Sequence, residues 1–221
     1  MVGCAYNNSS ITNCYNIGSV SGEDWVGGVV GCAYNNSSIT NCYNMGSVSG
    51  VSSVGGVVGH ASSVTACYNT GSISSIANSV GGVVGYASSS VTACYNTGSI
   101  LGSSYVGGVV GYSTNYSSSS ITACYNTGAV DGNGDNYYAG GVAGYASSYL
   151  YGCYYLPYSD MSYTSSTDGT ADENLVATMT SSDFPATLNE AAGDDYFEFD
   201  SYNYNGGYPI LISIDYSAIG D

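Results

Sequence analysis

The stretch that decides the fold is Val26-Gly-Gly-Val-Val-Gly31, followed by Ile39-Thr-Asn-Cys-Tyr-Asn-Met-Gly-Ser-Val48. Both blocks return along the chain. The glycine-rich block recurs at Val54–Gly59, Val80–Gly85, Val106–Gly111 and, altered, at Ala139–Gly144. The second block recurs at Cys14, Cys42, Cys67, Cys94, Cys124 and Cys153, which are 28, 25, 27, 30 and 29 residues apart. A repeat of this period is typical of stacked architectures, in which neighbouring units share one core.

Short β-branched segments interrupted by Gly, Ser and Asn predict strands, and residues 1–155 show no helical periodicity. The sequence therefore predicts an all-β fold. We expect a parallel β-solenoid of about six coils over residues 1–155, with one coil for each repeat and like residues stacked in columns.

The glycine-rich block followed by I-T-x-C-Y-N-x-G-S-V resembles the GLUG repeat family of bacterial cell-surface and secreted proteins. Family members usually carry Leu where this chain has Val29 and its equivalents. The elements Cys153-Tyr-Tyr-Leu156, Phe184…Leu188-Asn189 and Asn205-Gly-Gly-Tyr-Pro-Ile-Leu211 resemble the segment that commonly closes such arrays. The resemblance implies an extracellular or cell-surface location, adhesive or structural roles and no catalytic residues.

Composition changes near residue 156. Only Glu23 and Asp24 are acidic in residues 1–130, and the other fourteen Asp and Glu residues lie from Asp131 onward. We interpret residues 156–221 as an acidic cap over the last coil. A capping box at Thr170–Glu173 predicts a helix through Met179, and further predictions are a helix over Asp183–Ala192 and a strand over Tyr208–Ile214.

The residues Val2-Gly3-Cys4 match the end of a glycine-rich block, so the first coil is predicted to have an uncovered edge. Earlier residues or another subunit would then cover it. The second case gives a homo-oligomer by head-to-tail stacking, a contact that propagates into a filament.

The chain has 221 residues, no Lys or Arg, 16 Asp and Glu and a formal net charge of -16. Nucleic-acid binding, phosphate loops with lysine and basic membrane surfaces are therefore excluded as function classes. No apolar run is long enough for a membrane span, and no signal peptide is visible. The sequence also predicts no cofactor, apart from the calcium candidate described below.

The repeats place identical residues in columns, from which we predict two ladders along the rod. One is a tyrosine ladder and the other an asparagine ladder whose amides hydrogen-bond from coil to coil. Their members are Tyr15, Tyr43, Tyr68, Tyr95 and Tyr125, and Asn16, Asn44, Asn69, Asn96 and Asn126. The glycine that follows each asparagine, as at Gly18 and Gly46, is predicted to have a positive φ, and the paired glycines are predicted to allow a tight bend or close coil contact.

Cysteine spacing leaves two disulfide patterns open. Cys4 and Cys14 lie ten residues apart, as do Cys32 and Cys42, so a bond within each coil is one candidate. Bonds between stacked coils are the other, although the distance between stacked cysteines lies near the lower end of the disulfide range. They would run along the column Cys14, Cys42, Cys67, Cys94, Cys124 and Cys153. A column of buried thiols that only pack is the third interpretation.

Asp131, Asn133 and Asp135 alternate as oxygen ligands do in calcium loops, but an ordinary Asn/Asp/Gly turn explains them at least as well. Glycosylation sequons occur at Asn7, Asn8, Asn35, Asn36 and Asn115. His60 stands in a column otherwise held by Cys and Tyr, and there is no G-x-S-x-G elbow, so we predict that the protein is not an enzyme.

Three functions remain as hypotheses. The first is an extracellular structural protein that associates end to end into a filament or surface fibre. The second is an adhesin that binds a glycan or host surface through exposed tyrosines. The third is a surface that orders ice or mineral, suggested by a column of threonines at Thr12, Thr40, Thr65, Thr92 and Thr122. Because Asn13 or Ala66 follows the threonine, paired T-x-T rows are lacking, and strand-forming Thr on a solvated face also explains the column.

Overall fold

A computed structural model describes residues 1–76, 78–114, 119–132, 138–156, 172–173 and 176–218. Successive coils of the repeat region lie directly above one another and pair in parallel, so the chain is an all-β parallel solenoid. The described residues complete about five turns. The sequence predicted about six coils because that count includes the incomplete turns at the two ends of the solenoid.

Each turn contributes strands to four sheets, which we call A to D. Sheet A contains Val2–Ala5, Ser10–Thr12, Val30–Thr40, Val58–Thr65, Val84–Ala87, Val91–Thr92, Val110–Ser113, Ser120–Thr122, Ala143–Ala146 and Tyr149–Tyr151. Sheet B contains Tyr15–Asn16, Tyr43–Asn44, Tyr68–Asn69, Tyr95–Asn96, Tyr125–Asn126, Tyr154–Tyr155 and Asp172–Glu173. Sheet C contains Val20–Ser21, Val48–Gly50, Ile73–Ser75, Ile100–Gly102 and Val130–Gly132. Sheet D contains Asp24–Gly27, Ser52–Gly55, Asn78–Gly81, Ser104–Gly107 and Ala139–Gly140.

Alternation along these short strands directs apolar residues into the coil. In sheet A, the column that contains Ile39 and Val64 faces a central core that also holds the Val29 and Cys42 columns. A second, smaller core lies between sheets C and D, where Val48 and Val54 and their equivalents meet. The solenoid is thus held together by in-register stacks of small apolar side chains.

The paired glycines lie where the backbones of sheets D and A touch. A Cβ built on Gly27 would lie 2.2 Å from the carbonyl oxygen of Val30 and 2.6 Å from the Cα of Val58. The prediction of close backbone contact at these glycines is therefore confirmed.

The glycine column that contains Gly18 and Gly46 is different from the prediction, because none of its members has a positive φ. A Cβ on Gly46 would lie 2.0 Å from the carbonyl oxygen of Gly18, so close stacking of coils explains this column. The left-handed conformation falls instead on the residue before each column cysteine, as at Asn13 (φ 54°) and Ala66 (φ 51°).

The C-terminal segment lies along the side of the rod, whereas the sequence predicted a cap over its end. Met179, Leu188 and Leu211 pack on the tyrosines of sheet B, and a short antiparallel pair, Phe197–Glu198 with Ile210–Leu211, holds the segment together. Only the strand Asp172–Glu173 extends sheet B beyond the last coil. The described part of this segment is therefore mainly a lateral cover.

The helices of this segment are short. The helix Val176–Met179 is preceded by the strand Asp172–Glu173, so the predicted capping box does not open it, and Thr170 lies outside the described residues. The predicted second helix is confirmed as Phe184–Ala192, with Pro185 in its first turn. A 3-10 turn follows at Tyr216–Ala218. No described helix has the length and apolarity needed to cross a membrane.

Candidate functional site: ladders and outer faces of the solenoid

The asparagine column forms a continuous chain of amide hydrogen bonds. Each Nδ2 donates to the Oδ1 of the next coil, at 2.7 Å from Asn16 to Asn44, from Asn44 to Asn69 and from Asn69 to Asn96, and at 2.8 Å from Asn96 to Asn126. The same Nδ2 also donates to the glycine carbonyl two residues later, at 2.6–2.9 Å. Every ladder asparagine therefore joins two coils and closes its own corner.

The tyrosine column stacks ring on ring beside this chain. Centroids lie 5.1 Å apart between Tyr15 and Tyr43 and 4.9 Å apart in each later pair up to Tyr125, with planes within 7° of parallel. Tyr15 is 60% exposed, whereas Tyr68, Tyr95 and Tyr125 are buried beneath the C-terminal segment. Most of this ladder is therefore unavailable to a glycan.

The C-terminal segment contacts the ladder through side-chain hydrogen bonds. The hydroxyls of Tyr95 and Tyr216 lie 2.8 Å apart, and the Tyr125 hydroxyl donates to the carbonyl of Pro209. Asn205 Nδ2 donates to the Tyr125 hydroxyl at 2.8 Å. Burial raises the pKa of both Tyr95 and Tyr125, so these phenols stay neutral.

A second set of aromatic residues lies on the outer face of sheet A and the adjoining sheet D; we call it the aromatic strip. Its members are Trp25, Tyr34, His60, Tyr86, Tyr105, Tyr112, Tyr138 and Tyr145. Tyr112 and Tyr145 stack at 4.8 Å, and Tyr105 and Tyr138 stack at 5.3 Å. Stacked and edge-to-face contacts thus join these rings along the strip. Binding of a glycan or host surface through exposed tyrosines stays a prediction.

His60 lies within this strip between two tyrosines. Its ring meets Tyr34 at 4.4 Å and Tyr86 at 4.7 Å, both edge to face, and its Nε2 has no hydrogen-bond partner among the described residues. Burial lowers the pKa of His60 below its ordinary value of 6.5. The structure surrounds it with aromatic rings, and the arrangement explains why a tyrosine takes this position in later coils.

We expect the natural protein to lose stability on acidification through His60, and the His60→Tyr variant to lack this loss. The folded protein binds the His60 proton more weakly than the unfolded chain, so stability is present above pH 6.5 and falls as pH falls through 6.5 toward the lower, folded pKa. Urea unfolding at a series of pH values measures the effect. An identical pH dependence in both proteins would contradict it.

The cysteines fall on two sides of the coil wall. Cys4 and Cys32 are bonded to each other across neighbouring coils, with Cα atoms 4.6 Å apart. Cys14 and Cys42 are free thiols whose column faces the central core. The candidate bonds within each coil are therefore wrong, because the members of each pair face opposite sides of the wall.

The six free thiols form a single column inside the solenoid: Cys14, Cys42, Cys67, Cys94, Cys124 and Cys153. All but Cys14 are buried, and each thiol donates to the backbone carbonyl two residues earlier in the chain, at 3.3–3.6 Å. Burial raises the pKa of the Cys94 and Cys153 thiols, so both stay protonated in the folded chain.

Two rows of hydroxyls cover the outer face of sheet A beside the turns. Each Ser-x-Thr segment buries its central Ile or Val and turns both hydroxyls outward, as in Ser38-Ile39-Thr40. The members are Ser10, Ser38, Ser63, Ser90, Ser120, Thr12, Thr40, Thr65, Thr92 and Thr122. Within the described part of the chain, none of these ten hydroxyls has a protein hydrogen-bond partner. The threonine column could be recognised in the sequence. The row of serines, which lie two residues before each threonine, was missed.

The remaining predicted site residues are not brought together into one site. Asn7, Asn8, Asn35 and Asn36 are exposed with positive φ, and Asn35 Nδ2 donates to Asn7 Oδ1 at 3.0 Å. Asn115, Asn133 and Asp135 lie outside the described residues, and Asp131 is exposed at a strand of sheet C. Across the described ranges, no three His, Cys, Asp or Glu side chains are placed to hold a metal ion.

In-register coils with shared cores define the class of parallel β-solenoid repeat proteins. Within that class, the GLUG motif matches three segments of this chain, residues 26–49, 76–101 and 102–131, which confirms the resemblance of its repeats to the GLUG family. No match to the chain was found among curated proteins or among solved structures.

Proposed function

We propose that this chain is a non-enzymatic structural module of an extracellular or cell-surface protein, whose rods associate end to end. The observation that carries the proposal is the outer edge of the first coil. Its strands in all four sheets pair with the second coil on one side, and no described residue pairs with their other side. Unpaired strand edges are templates for pairing with another chain.

The side chains at this edge support the same proposal. Tyr15 stacks on Tyr43 with one ring face, and no described ring covers its other face. Elsewhere on the same edge, a cavity of about 310 Å³ opens among Val20, Trp25 and Val26, at the end of the smaller core. A further coil placed on this edge would continue both ladders and bury that apolar surface.

We expect the natural chain to sediment as concentration-dependent oligomers and to show rods longer than one solenoid by negative-stain microscopy. Tyr15→Lys places a charge in the joint and is expected to abolish the oligomers, because a buried lysine without a partner is costly. Tyr202→Lys is the matched control, since Tyr202 is 78% exposed and lies in a turn of the C-terminal segment. A natural chain that stays monomeric at every concentration would refute the proposal.

A second candidate function, ordering of water at an ice surface, is favoured by the two hydroxyl rows. Strands in the sheet lie about 4.8 Å apart, and residues i and i+2 on one strand are separated by roughly 6.6 Å, so the rows form a regular two-dimensional array. The threonines stand in register from Thr12 to Thr122. An uncharged, rigid array of hydroxyls without protein partners is suited to hold a lattice of hydrogen-bonded water.

Ice-growth assays test this second function. The natural chain is expected to inhibit recrystallisation of ice, and Thr92→Tyr to lose most of that activity, because its ring interrupts the array. The fold accepts this change, since Tyr151 occupies the same column in the last coil. Ser74→Tyr, on the exposed face of sheet C, is the control. Ice growth unaffected by the natural chain would eliminate this function.

A further inference from the structure

The column of six free thiols is not used by the proposed function, although its geometry resembles that of the bonded pair Cys4 and Cys32. That pair joins equivalent positions of neighbouring coils, with a sequence separation of 28 residues and Cα atoms 4.6 Å apart. It shows that the stacking distance of this solenoid accommodates a disulfide between two coils. The free column repeats the same relation five times on the inner side of the wall.

Backbone pairing holds the column cysteines in register. The N–H of the residue after each cysteine donates to the carbonyl of the preceding column cysteine, at 3.1 Å from Tyr43 to Cys14 and from Tyr95 to Cys67. The last such bond, from Tyr154 to Cys124, is 2.9 Å. Neighbouring strands lie about 4.8 Å apart, which is within the roughly 4.4–6.8 Å between Cα atoms that disulfides span.

The thiols also share one orientation. Each donates to the backbone carbonyl two residues earlier in the chain, at 3.3–3.6 Å, so the sulfurs lie in equivalent positions at every level. The backbone N–H of Cys42 donates to the sulfur of Cys67 at 3.4 Å. No other side-chain type interrupts the column at any of its six levels. Each cysteine between the two ends of the column therefore has a cysteine directly above and below it.

We propose that this column is a disulfide ladder, in which the cysteines bond in adjacent pairs as Cys14–Cys42, Cys67–Cys94 and Cys124–Cys153. Six positions in one line allow only this arrangement if every member bonds to a neighbour. The shifted arrangement, Cys42–Cys67 and Cys94–Cys124, would leave the two end cysteines single. The completed ladder would fasten coils one to two, three to four and five to six.

Each bond requires an oxidant, which we take to be a small disulfide such as glutathione disulfide. One cysteine thiolate attacks it and releases one glutathione thiolate, which takes up a proton; the neighbouring cysteine then attacks the mixed disulfide and releases the second. The two cysteines lose two electrons and two protons, and the oxidant gains them as two glutathione thiols. Because the folded thiols are buried, the exchange belongs to the folding stage, before the coils close.

The experiment is refolding of the full chain from denaturant and reductant, with glutathione disulfide present or absent. Free thiols are then alkylated in denaturant and counted by intact mass. With the oxidant we expect no alkylated cysteine, and without it we expect alkylation of the six column cysteines and of any Cys4 and Cys32 left reduced. Chymotryptic or peptic peptides, needed because the chain lacks Lys and Arg, assign the pairs.

Two variants make the test specific. In Cys42→Ser, only Cys14 is expected to be alkylated, while Cys67–Cys94 and Cys124–Cys153 still form. In the control Cys32→Ser, which lies on the outer face, only Cys4 is expected to be alkylated. Six alkylated column cysteines in the oxidised natural chain, or alkylation confined to Cys14 and Cys153, would overturn the proposal without any use of the variants.

The ladder depends on the proposed extracellular setting only for the place where oxidation occurs, since disulfides persist in oxidising compartments. The refolding experiment supplies its own oxidant and does not require rods to associate. Failure of the ladder and failure of end-to-end association are therefore distinguishable.

Discussion

Asn96→Ala is expected to lower the free energy of unfolding by about 4 kcal/mol, because the change leaves several buried groups without partners at about 1–3 kcal/mol each. Asn96 is fully buried. It donates to Asn126 Oδ1 and to the Gly98 carbonyl, and it accepts from Asn69 Nδ2 and the Gly98 N–H. Urea unfolding followed by circular dichroism measures the loss.

The matched control for this prediction is Asn16→Ala at the open end of the same ladder. Among the described residues, Asn16 has a ladder neighbour only in Asn44, and its contacts are partly solvated. We expect it to cost about 1 kcal/mol, close to one exposed hydrogen bond. Equal losses for the two variants would show that the ladder does not gain strength from burial.

Gly85→Ala is expected to lower the free energy of unfolding by at least about 3 kcal/mol, at the upper end of overpacking costs. An added Cβ would lie 2.6 Å from the carbonyl oxygen of Gly59 and 2.7 Å from the backbone N of Val54. Both atoms belong to paired backbone, so neither coil can move aside without breaking its ladder. Thermal and urea unfolding of the purified variant measure the effect.

Gly3→Ala is the control from the same column. A Cβ at Gly3 would have no atom of the described residues within 4 Å. Its stability is expected to stay within about 0.5 kcal/mol of the natural protein, as for a surface change. A Gly85→Ala protein as stable as Gly3→Ala would contradict the interpretation that the glycines permit close backbone contact.

The columns could be predicted from sequence because stacking in register places each residue on its own copy. Asn44 and Tyr43 recur at a fixed offset from the cysteine, and this was enough to predict which side chains meet. The role of Gly46 could not be predicted in the same way. A positive φ and a lack of space for a Cβ both favour glycine at a position. Which of the two applies at Gly46 depends on how closely the neighbouring coil approaches, and the sequence does not show this.

The disulfide and the lateral cover were not predictable for related reasons. Strand alternation decides whether a cysteine faces inward or outward, and the irregular turn between Cys4 and Cys14 obscures that alternation. Likewise, Leu188 and Leu211 indicate an apolar face, but the sequence does not show which surface that face covers. Their partner is the outer surface of the tyrosine ladder, which looks solvent-exposed as long as the repeats are considered alone.

The lateral cover changes how the rod responds to disruption. In an ordinary repeat array each unit touches only its neighbours, so the terminal units can fray one after another. Here Ser213 donates to Asn41 near the beginning of the rod, Tyr216 reaches Tyr95 in the middle, and Phe184 packs against Tyr154 at the far end. The C-terminal segment therefore connects these coils to one another. Because this one segment contacts several coils, a coil that unfolds also breaks the contacts that the segment makes with the other coils. We therefore expect the coils to unfold cooperatively.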